Sequence, residues 1–227
     1  MRRRASLWAI GAAALVGFSP VSRAQPAAAA AFPKDVYPDS GFRLPLLQRD
    51  QLDDQGKKLY DEATRQDGRN IVGLRGPTGM RLYSPKVGEL QRQLNQALRF
   101  ESGISGTMRE LAILVTARET NSQFEWAAHQ PIALREGLSQ STIDVVKFRR
   151  TTAGLPEPEA VVIQLGRQIF GAKKVTPDIF ARALKLCGPR GLFNLVALMG
   201  AYSSTAALLT AFDMQLPPGE KPPLPLP

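Results

Sequence analysis

The sequence predicts an all-α protein, a helical bundle of about seven or eight helices with no sheet. Apolar residues recur at intervals of three and four along most of the chain, and Ser, Thr or Asp precede several of these segments as helix caps. No segment shows the strict alternation of a half-buried strand. With 227 residues, 44% of them hydrophobic, the chain is long enough to bury one sizeable core.

Residues 1–24 have the pattern of an export signal. Arginines 2–4 precede an apolar stretch from Leu7 to Phe18, and Ser22-Arg23-Ala24 places small residues where signal peptidase cleaves. The stretch is too short to cross a hydrocarbon layer of roughly 30 Å as a helix. We therefore expect a periplasmic or secreted protein. A retained N-terminal anchor is the alternative, and the paired arginines also permit twin-arginine export.

The formal charge of +9 does not indicate a nucleic-acid-binding protein. Four of the positive charges lie in the export signal, and the remaining +5 is scattered among acids without a basic run that contains aromatic residues. This charge favours solubility and some attraction for anionic substrates. The single cysteine, Cys187, has no partner for an intrachain disulfide and is expected to be a small core residue.

The predicted domain covers residues 49–215 and follows an Ala- and Pro-rich lead-in. This lead-in, residues 25–48, has no clear period and is expected to be extended and partly disordered. A first helix runs from Asp53 to about Gln66. The glycine-spaced residues 70–84 predict a flexible lid or turn. The second helix has apolar residues at helical spacing: Val87, Leu90, Leu94, Ala97 and Leu98.

Five more predicted helices precede the last one. The third helix starts at Thr107, the fourth at Ser122 and the fifth at Ser139, and the sixth covers residues 156–171. Thr176, followed by proline at the first helical position, opens the seventh.

The last predicted helix, from Pro189 to about Phe212, is long enough to span a membrane. Its polar and small residues, among them Asn194, favour instead the centre of a bundle or of an oligomer. Residues 216–227 are proline-dense and predict a tail, or an arm that lies on a neighbour.

The chemistry of the chain centres on His129, its only histidine. Glu125 lies four residues earlier on the same helix, so the two side chains share one face. A carboxylate beside an imidazole fixes its tautomer and favours its protonated form, which makes a workable acid/base unit. Pairs at this spacing also occur as surface pairs or as structural pairs between subunits, so the spacing alone leaves the role open.

A wider frame surrounds this pair, in which Glu110 precedes Ser122, Glu125 and His129 within the stretch RELAILVTARETNSQFEWAAHQPIALREG. The frame resembles the carboxymuconolactone decarboxylase family of the alkylhydroperoxidase D-like superfamily, and the resemblance covers roughly residues 80–148. In the redox members, two cysteines stand where this chain has Ser122 and Glu125. A thiol peroxidase needs both thiols, so this departure excludes that reaction.

The resemblance implies an all-helical oligomer, dimeric to hexameric. It also implies decarboxylase-like chemistry on a small lactone or carboxylic acid, with no cofactor and no metal. One histidine and no cysteine partner would in any case make a poor zinc site. An exported binding or scaffold protein of the same fold, without catalysis, is the alternative. A cavity containing His129, Glu125 and an arginine would argue against it.

Within this hypothesis, His129 is the proton donor, Glu125 orients it, and Glu110 is a second acid/base group. Arginines suit a two-pronged grip on a substrate carboxylate, and tyrosine or tryptophan suits a pocket wall. The candidates for these roles are Arg118, Arg109, Arg81, Arg75, Tyr83 and Trp126. Other interpretations stay open: a capping box that joins Glu110 to Thr107, a core position for Trp126, and salt bridges for Arg109 and Arg118.

Overall fold

The computed structural model describes residues 32–65 and 72–225, and all regular elements in these ranges are helical. The prediction of an all-α fold is therefore confirmed. The export signal predicted at residues 1–24 lies outside the described residues. The α-helices are α1 (Asp54–Ala63), α2 (Pro77–Arg81), α3 (Pro85–Gln96), α4 (Gly106–Glu119), α5 (Gln123–Arg135), α6 (Gln140–Lys147), α7 (Glu157–Arg167) and α8 (Pro177–Ala211). A 3-10 turn covers Arg49–Gln51, and π-helical turns cover Ala97–Glu101 and Gln168–Ala172.

Helix α4 is the centre of the bundle. Every residue from Arg109 to Arg118 is buried, and the helix packs against α5, α6, α7 and α8. Its apolar residues lie on all sides, which is the pattern of a helix enclosed by others. The sequence suggested this central place for the last helix, but α8 is buried along one face only.

Predicted caps define three of the helix starts. Side-chain oxygens of Asp53, Ser139 and Thr176 accept hydrogen bonds from the first turns of α1, α6 and α8. Helix α4 begins at Gly106, one residue before the predicted start, because Ser105 is its cap and accepts from the Met108 N–H. Thr107 lies inside the helix and donates to the Glu136 carbonyl. The capping-box interpretation of Glu110 is therefore wrong.

From residue 72 onward, the glycine-spaced segment includes regular structure. It contains α2, which the sequence did not predict, and Gly76 precedes this helix with φ +95°. A Cβ atom at Gly76 would lie 2.8 Å from the Phe124 ring, so the backbone packs directly on that side chain. Glycine is needed here for its positive φ and for this close approach.

Helix α8 contains a kink where the sequence predicted a boundary. Gly188 has φ +65° and ψ 171°, and Pro189 follows it, so the first eleven residues of the element form a separate helical stretch. Helix α8 is long and apolar enough to cross a membrane. The core helices of soluble proteins can have the same length and composition. Of its most apolar 18 residues, 39% are buried, and Phe193 is 73% exposed.

Both ends of the described chain pack on the bundle. In the lead-in, Phe42 is fully buried, and Arg43 donates its N–H to the Phe212 carbonyl, so the described residues 32–48 are non-helical and pack on the bundle. In the tail, Leu224 is 3% exposed, and its backbone exchanges two hydrogen bonds with the Gln123 side chain. The tail thus lies on its own chain, over the start of α5.

The apolar face of α3 points outward. Val87, Leu90 and Leu94 are 52%, 59% and 49% exposed, although their helical spacing predicts a face buried in the core. Phe100, just after this helix, is also 49% exposed. Within the described part of the chain, no element covers this face.

Candidate active site

The imidazole of His129 is held by a carboxylate from another helix. The packing of α4 against α5 places Glu110 Oε2 2.7 Å from His129 Nδ1, and both side chains are almost completely buried. An ionised carboxylate at this distance accepts the Nδ1–H hydrogen bond. It thereby fixes the ring orientation and leaves Nε2 as the nitrogen that is free for chemistry.

The opposite ring nitrogen faces Glu125. Glu125 Oε2 lies 3.5 Å from His129 Nε2, one helical turn away as the sequence predicted. Burial raises the pKa of Glu125 above its ordinary value, and repulsion from Glu110 adds to this effect, while His129, Arg81 and Arg99 oppose it. Glu125 is therefore biased towards the neutral acid.

Glu110 has the opposite electrostatic environment. Burial alone would raise its pKa, but hydrogen bonds from His129 and Arg109 and the positive charge of Arg99 outweigh burial and lower it. Arg109 Nε lies 3.0 Å from Glu110 Oε1, and the same guanidinium contacts Glu136 at 3.1 Å. The site thus contains two carboxyl groups whose surroundings separate their pKa values, an arrangement typical of acid/base sites.

Helix α8 contributes Tyr202 to this group. Its ring meets the His129 ring edge to face, with centroids 5.1 Å apart and planes at 85°. Burial raises the pKa of the Tyr202 hydroxyl far above its ordinary value, so the hydroxyl stays protonated. Tyr202 therefore restricts the ring and offers a neutral hydroxyl beside it.

A cavity of about 250 Å³ opens next to these groups. His129, Glu125, Arg81, Arg99 and Tyr202 line it. The other walls come from α1, α3, α5, α8 and the segment around α2, and include Leu59, Val72, Asn95, Phe100, Phe124, Ala128 and Thr205. Glu110 does not line the cavity, because it lies behind the imidazole.

The predicted substrate-binding residues separate into those at the cavity and those away from it. Arg81 lines the cavity, whereas Arg109 is used behind the site as the partner of Glu110 and Glu136. Arg118 donates its Nε–H to the Lys147 carbonyl on another side of α4. Trp126 is fully buried in the core, where its Nε1–H bonds to Gln130.

Tyr83 and Arg75 also lie away from the cavity. The Tyr83 hydroxyl donates to the Pro45 carbonyl, and the ring is 39% exposed. Arg75 donates to the Pro38 carbonyl in the lead-in. The prediction that Arg118, Arg109, Tyr83 and Trp126 contact a substrate therefore finds no support in this geometry, because backbone carbonyls, core packing or ion pairs already occupy their side chains.

Sequence reasoning missed Arg99 and Tyr202. Arg99 follows Leu98 just beyond the predicted second helix, in a π-helical turn that shifts the helical register. Tyr202 lies 73 residues after His129, among small residues of the last helix. A polar aromatic residue in an otherwise apolar helix was the only available signal, since contacts between distant helices depend on the packing.

No metal-binding arrangement was found among residues 32–65 and 72–225. Glu110 and Glu125 contact different nitrogens of the imidazole, at Nδ1 and Nε2, so their oxygens do not converge on a single point. A divalent ion requires its ligands to converge.

Residues 85–164 match the sequence model of the carboxymuconolactone decarboxylase family. This segment of the chain is similar to that family. Comparisons with curated proteins and with solved structures found no match. The matched segment runs from α3 into α7 and includes Arg99, Glu110, Glu125 and His129, whereas Arg81 and Tyr202 lie outside it.

Within the segment that matches the carboxymuconolactone decarboxylase family, the two positions that carry cysteines in the redox relatives now have defined surroundings. Glu125 lines the cavity, whereas Ser122 is buried at the start of α5 and does not line it. Cys187 lies on α8 and lines a different cavity. No thiol therefore lies beside His129, which is consistent with the exclusion of thiol peroxidase chemistry.

Proposed function

We propose that this protein is a cofactor-independent lyase or isomerase that uses acid/base chemistry on a small lactone or carboxylic acid. The observation that carries the proposal is the Glu125–His129 pair at the wall of a 250 Å³ cavity, with Glu110 behind the ring. The match of residues 85–164 to the carboxymuconolactone decarboxylase family supports the same class of reaction.

The geometry changes the roles that the sequence suggested for the two acids. Glu110 is the positioning residue, because it holds Nδ1 at 2.7 Å and lies outside the cavity. Glu125 and His129 are the groups that can reach a ligand, since both line the cavity. A neutral Glu125 beside Nε2 can supply a proton to this nitrogen or directly to the substrate.

The proposed reaction needs only these groups. In a decarboxylation, the bond to the carboxyl carbon breaks, carbon dioxide leaves, and the electron pair moves into the conjugated system as a dienolate. The Glu125–His129 pair then delivers one proton to a carbon of that dienolate, and solvent restores this proton. An isomerisation would use the same pair first as base and then as acid.

A non-catalytic binding protein is the competing function. Such a protein would need a cavity wall that complements the shape and polarity of its ligand, but no ionisable group beside the ligand. The buried acid and imidazole at the cavity favour catalysis, because burying ionisable groups costs stability and groups perturbed in this way cluster at functional sites.

Turnover of a panel of lactone acids and unsaturated carboxylic acids, with and without a chelator, tests the proposal. We expect turnover of at least one compound, unaffected by the chelator, and a loss of about 10²–10⁴-fold in kcat for His129→Gln. Glu119→Gln, an acid of α4 outside the cavity, is the matched control and should keep full activity. Full turnover by His129→Gln would contradict the proposal.

We also propose that the protein is a homo-oligomer, between dimer and hexamer. The uncovered apolar face of α3 supports this, as does the exposed side of α8, where no charged residue occurs between Gly191 and Phe212. A second copy of the chain is the occupant we expect, because both faces carry heptad-like apolar spacing suited to helix packing. Light scattering of Leu90→Glu and Phe193→Glu should show a smaller species than the wild type. An unchanged mass, or recovery of the wild type in membranes, would refute this assembly.

Export to the periplasm is the last part of the proposal. Its support is the pattern of residues 1–24. Fractionation of a Gram-negative host should place the full-length chain in the periplasm and a chain without residues 1–24 in the cytoplasm. Equal distribution of the two forms would contradict export.

A further inference from the structure

The side chain of Arg109 is turned towards the acid that holds His129. Arg109 directly precedes Glu110 in α4, and consecutive residues of a helix do not face each other. Its Nε–H nevertheless donates to Glu110 Oε1 at 3.0 Å. Contacts from outside α4 are therefore needed to hold the Arg109 side chain against its neighbour.

Two groups outside α4 make these contacts. Arg109 Nη1 donates to the Arg99 carbonyl at 3.1 Å, and Nη2 donates to Glu136 Oε1 at 3.1 Å. Only Glu136 carries a charge that compensates the guanidinium, which is 9% exposed and would be costly to bury unpaired. Glu136 thus both directs the guanidinium and shares its charge with Glu110.

Helix α5 contacts the Arg109–Glu110 pair at two points. His129 and Glu136, the C-cap residue of α5, are seven residues apart and so lie on the same face. Thr107 donates to the Glu136 carbonyl and holds this end of α5 against the start of α4. A continuous series of contacts therefore runs from Glu136 through Arg109 and Glu110 to His129 Nδ1, at 3.1, 3.0 and 2.7 Å.

Gly106 provides the space that the Glu136 carboxylate occupies. Gly106 is the first residue of α4, and a Cβ atom there would lie 1.6 Å from Glu136 Oε2. Its φ is not positive, so the backbone conformation does not require glycine at this position. The carboxylate lies directly against the backbone at the start of α4, and an added methyl group would have to displace it.

We propose that Glu136 is a positioning residue for His129, which it orients through Arg109 and Glu110. The inference rests on the proposed function, since the ring that it orients is the acid/base group of that proposal. Arg109 holds one oxygen of Glu110 so that the other faces Nδ1. Without Glu136, Glu110 is the one acid that the described structure pairs with Arg109. The guanidinium then draws negative charge towards Oε1 and weakens the hydrogen bond at Oε2.

Nuclear magnetic resonance of the imidazole tests this role without a substrate. His129 is the only histidine, so labelling histidine with 15N reports on a single ring. We expect a low-field Nδ1–H resonance in the wild type, because a charged acceptor strengthens this hydrogen bond. Glu136→Gln should move the resonance upfield and speed its exchange with water, and Glu110→Gln should do so more strongly. Glu157→Gln, which removes an acid paired with Arg182 on α7, is the matched control and should leave the resonance unchanged.

Gly106→Ala separates positioning from stability. Alanine favours a helix over glycine, so this variant should be at least as stable as the wild type. It displaces the Glu136 carboxylate, however, and should therefore move the Nδ1–H resonance upfield as Glu136→Gln does. The double variant should shift the resonance no further than Glu136→Gln, because both changes remove the same contact. On an accepted substrate, each single variant should lower kcat by about 3–30-fold and change KM by less than about twofold.

Three results would overturn this role of Glu136: no low-field resonance in the wild type, an unchanged resonance in Glu136→Gln, or an equal shift in Glu157→Gln. If Glu136→Gln fails to fold, Gly106→Ala decides the question, and an unchanged resonance in that variant is the contradicting result. Full turnover by His129→Gln would refute the proposed chemistry and leave this spectroscopic test intact, since the resonance does not depend on turnover.

Discussion

Nδ1 of His129 lies 2.7 Å from Oε2 of Glu110, a residue 19 positions earlier on another helix, and not against the acid four residues away on its own helix. This contact decides which carboxylate orients the ring and which one faces the cavity. Four predictions follow from the site and from the elements that support it.

Replacement of Glu110 is expected to affect both activity and stability. Glu110→Gln removes the charge that holds the His129 tautomer and should lower kcat by about 10²–10⁴-fold on any accepted substrate. Glu110→Ala leaves Arg109 and His129 buried without their acid and should lower the free energy of unfolding by about 3–5 kcal/mol.

Urea denaturation measures the free energy of unfolding of the variants at position 110, with Glu119→Gln as the control. The folded-state pKa of Glu110 is lowered, so its ionised form stabilises the fold above the ordinary value of 4.5 and the benefit disappears as the pH falls through the folded-state pKa. The stability difference between the wild type and Glu110→Gln should therefore shrink below about pH 4. A constant difference across this range would refute the charged role.

Glu125→Gln is expected to stabilise the protein while it abolishes turnover. The folded-state pKa of Glu125 is raised above 4.5 by burial, so its stabilising contribution is complete below that value and is lost as the pH rises through the folded-state pKa. Glutamine has the same shape and no charge to desolvate. Thermal unfolding should show a Tm higher than wild type at pH 8, by roughly 2–4 °C for each kcal/mol gained, and little difference at pH 4. A lower Tm at pH 8 would show that the ionised form is the one that the fold accommodates.

Leu224→Ala tests the contribution of the C-terminal tail. The side chain is buried in the main core, and its backbone is tied to Gln123 at the start of α5. Its truncation should lower the free energy of unfolding by about 2–4 kcal/mol. Lys221→Ala, an exposed change in the same tail, should have no measurable effect. Equal stability of the two variants would show that the tail is not part of the folded unit.

Gly76→Ala tests the packing of the cavity wall. Alanine at this position combines a strained positive φ with a 2.8 Å approach to Phe124, which lines the cavity. Gly137→Ala is the matched control, since φ there is +91° but nothing lies within 4 Å of the added Cβ. We expect Gly76→Ala to be less stable than the control by about 1–3 kcal/mol and to bind ligand more weakly. Equal stability would mean that the Phe124 ring moves freely.

Local patterns predicted much of the fold. Asp53, Ser139 and Thr176 are caps because a side-chain oxygen can accept from a backbone N–H three residues later, an interaction that depends only on nearby sequence. The break before Pro189 was predictable for the same reason, because the ring removes a donor and restricts the preceding residue. Helix α2 was missed because its five residues are too few for a period to appear.

Burial was harder to predict than helicity. The apolar spacing of Val87, Leu90 and Leu94 correctly indicated a helix, but their face lies outside the core of the described chain. Apolar residues at helical spacing indicate that one face of the helix packs against other residues. They do not indicate whether those residues belong to the same chain. The tail showed the converse, since a proline-dense segment without any period buries Leu224.

The sequence by itself determined that His129 is flanked on its own helix by Glu125, because a separation of four residues fixes their relation within one turn. Only the tertiary structure decided that Glu110 takes Nδ1, that Arg99 and Tyr202 join the site, and that Arg109 and Arg118 lie outside the cavity. Those contacts arise where α4, α5, α8 and the turn after α3 meet, and the distances between helices are set by packing, which no spacing along a single helix encodes.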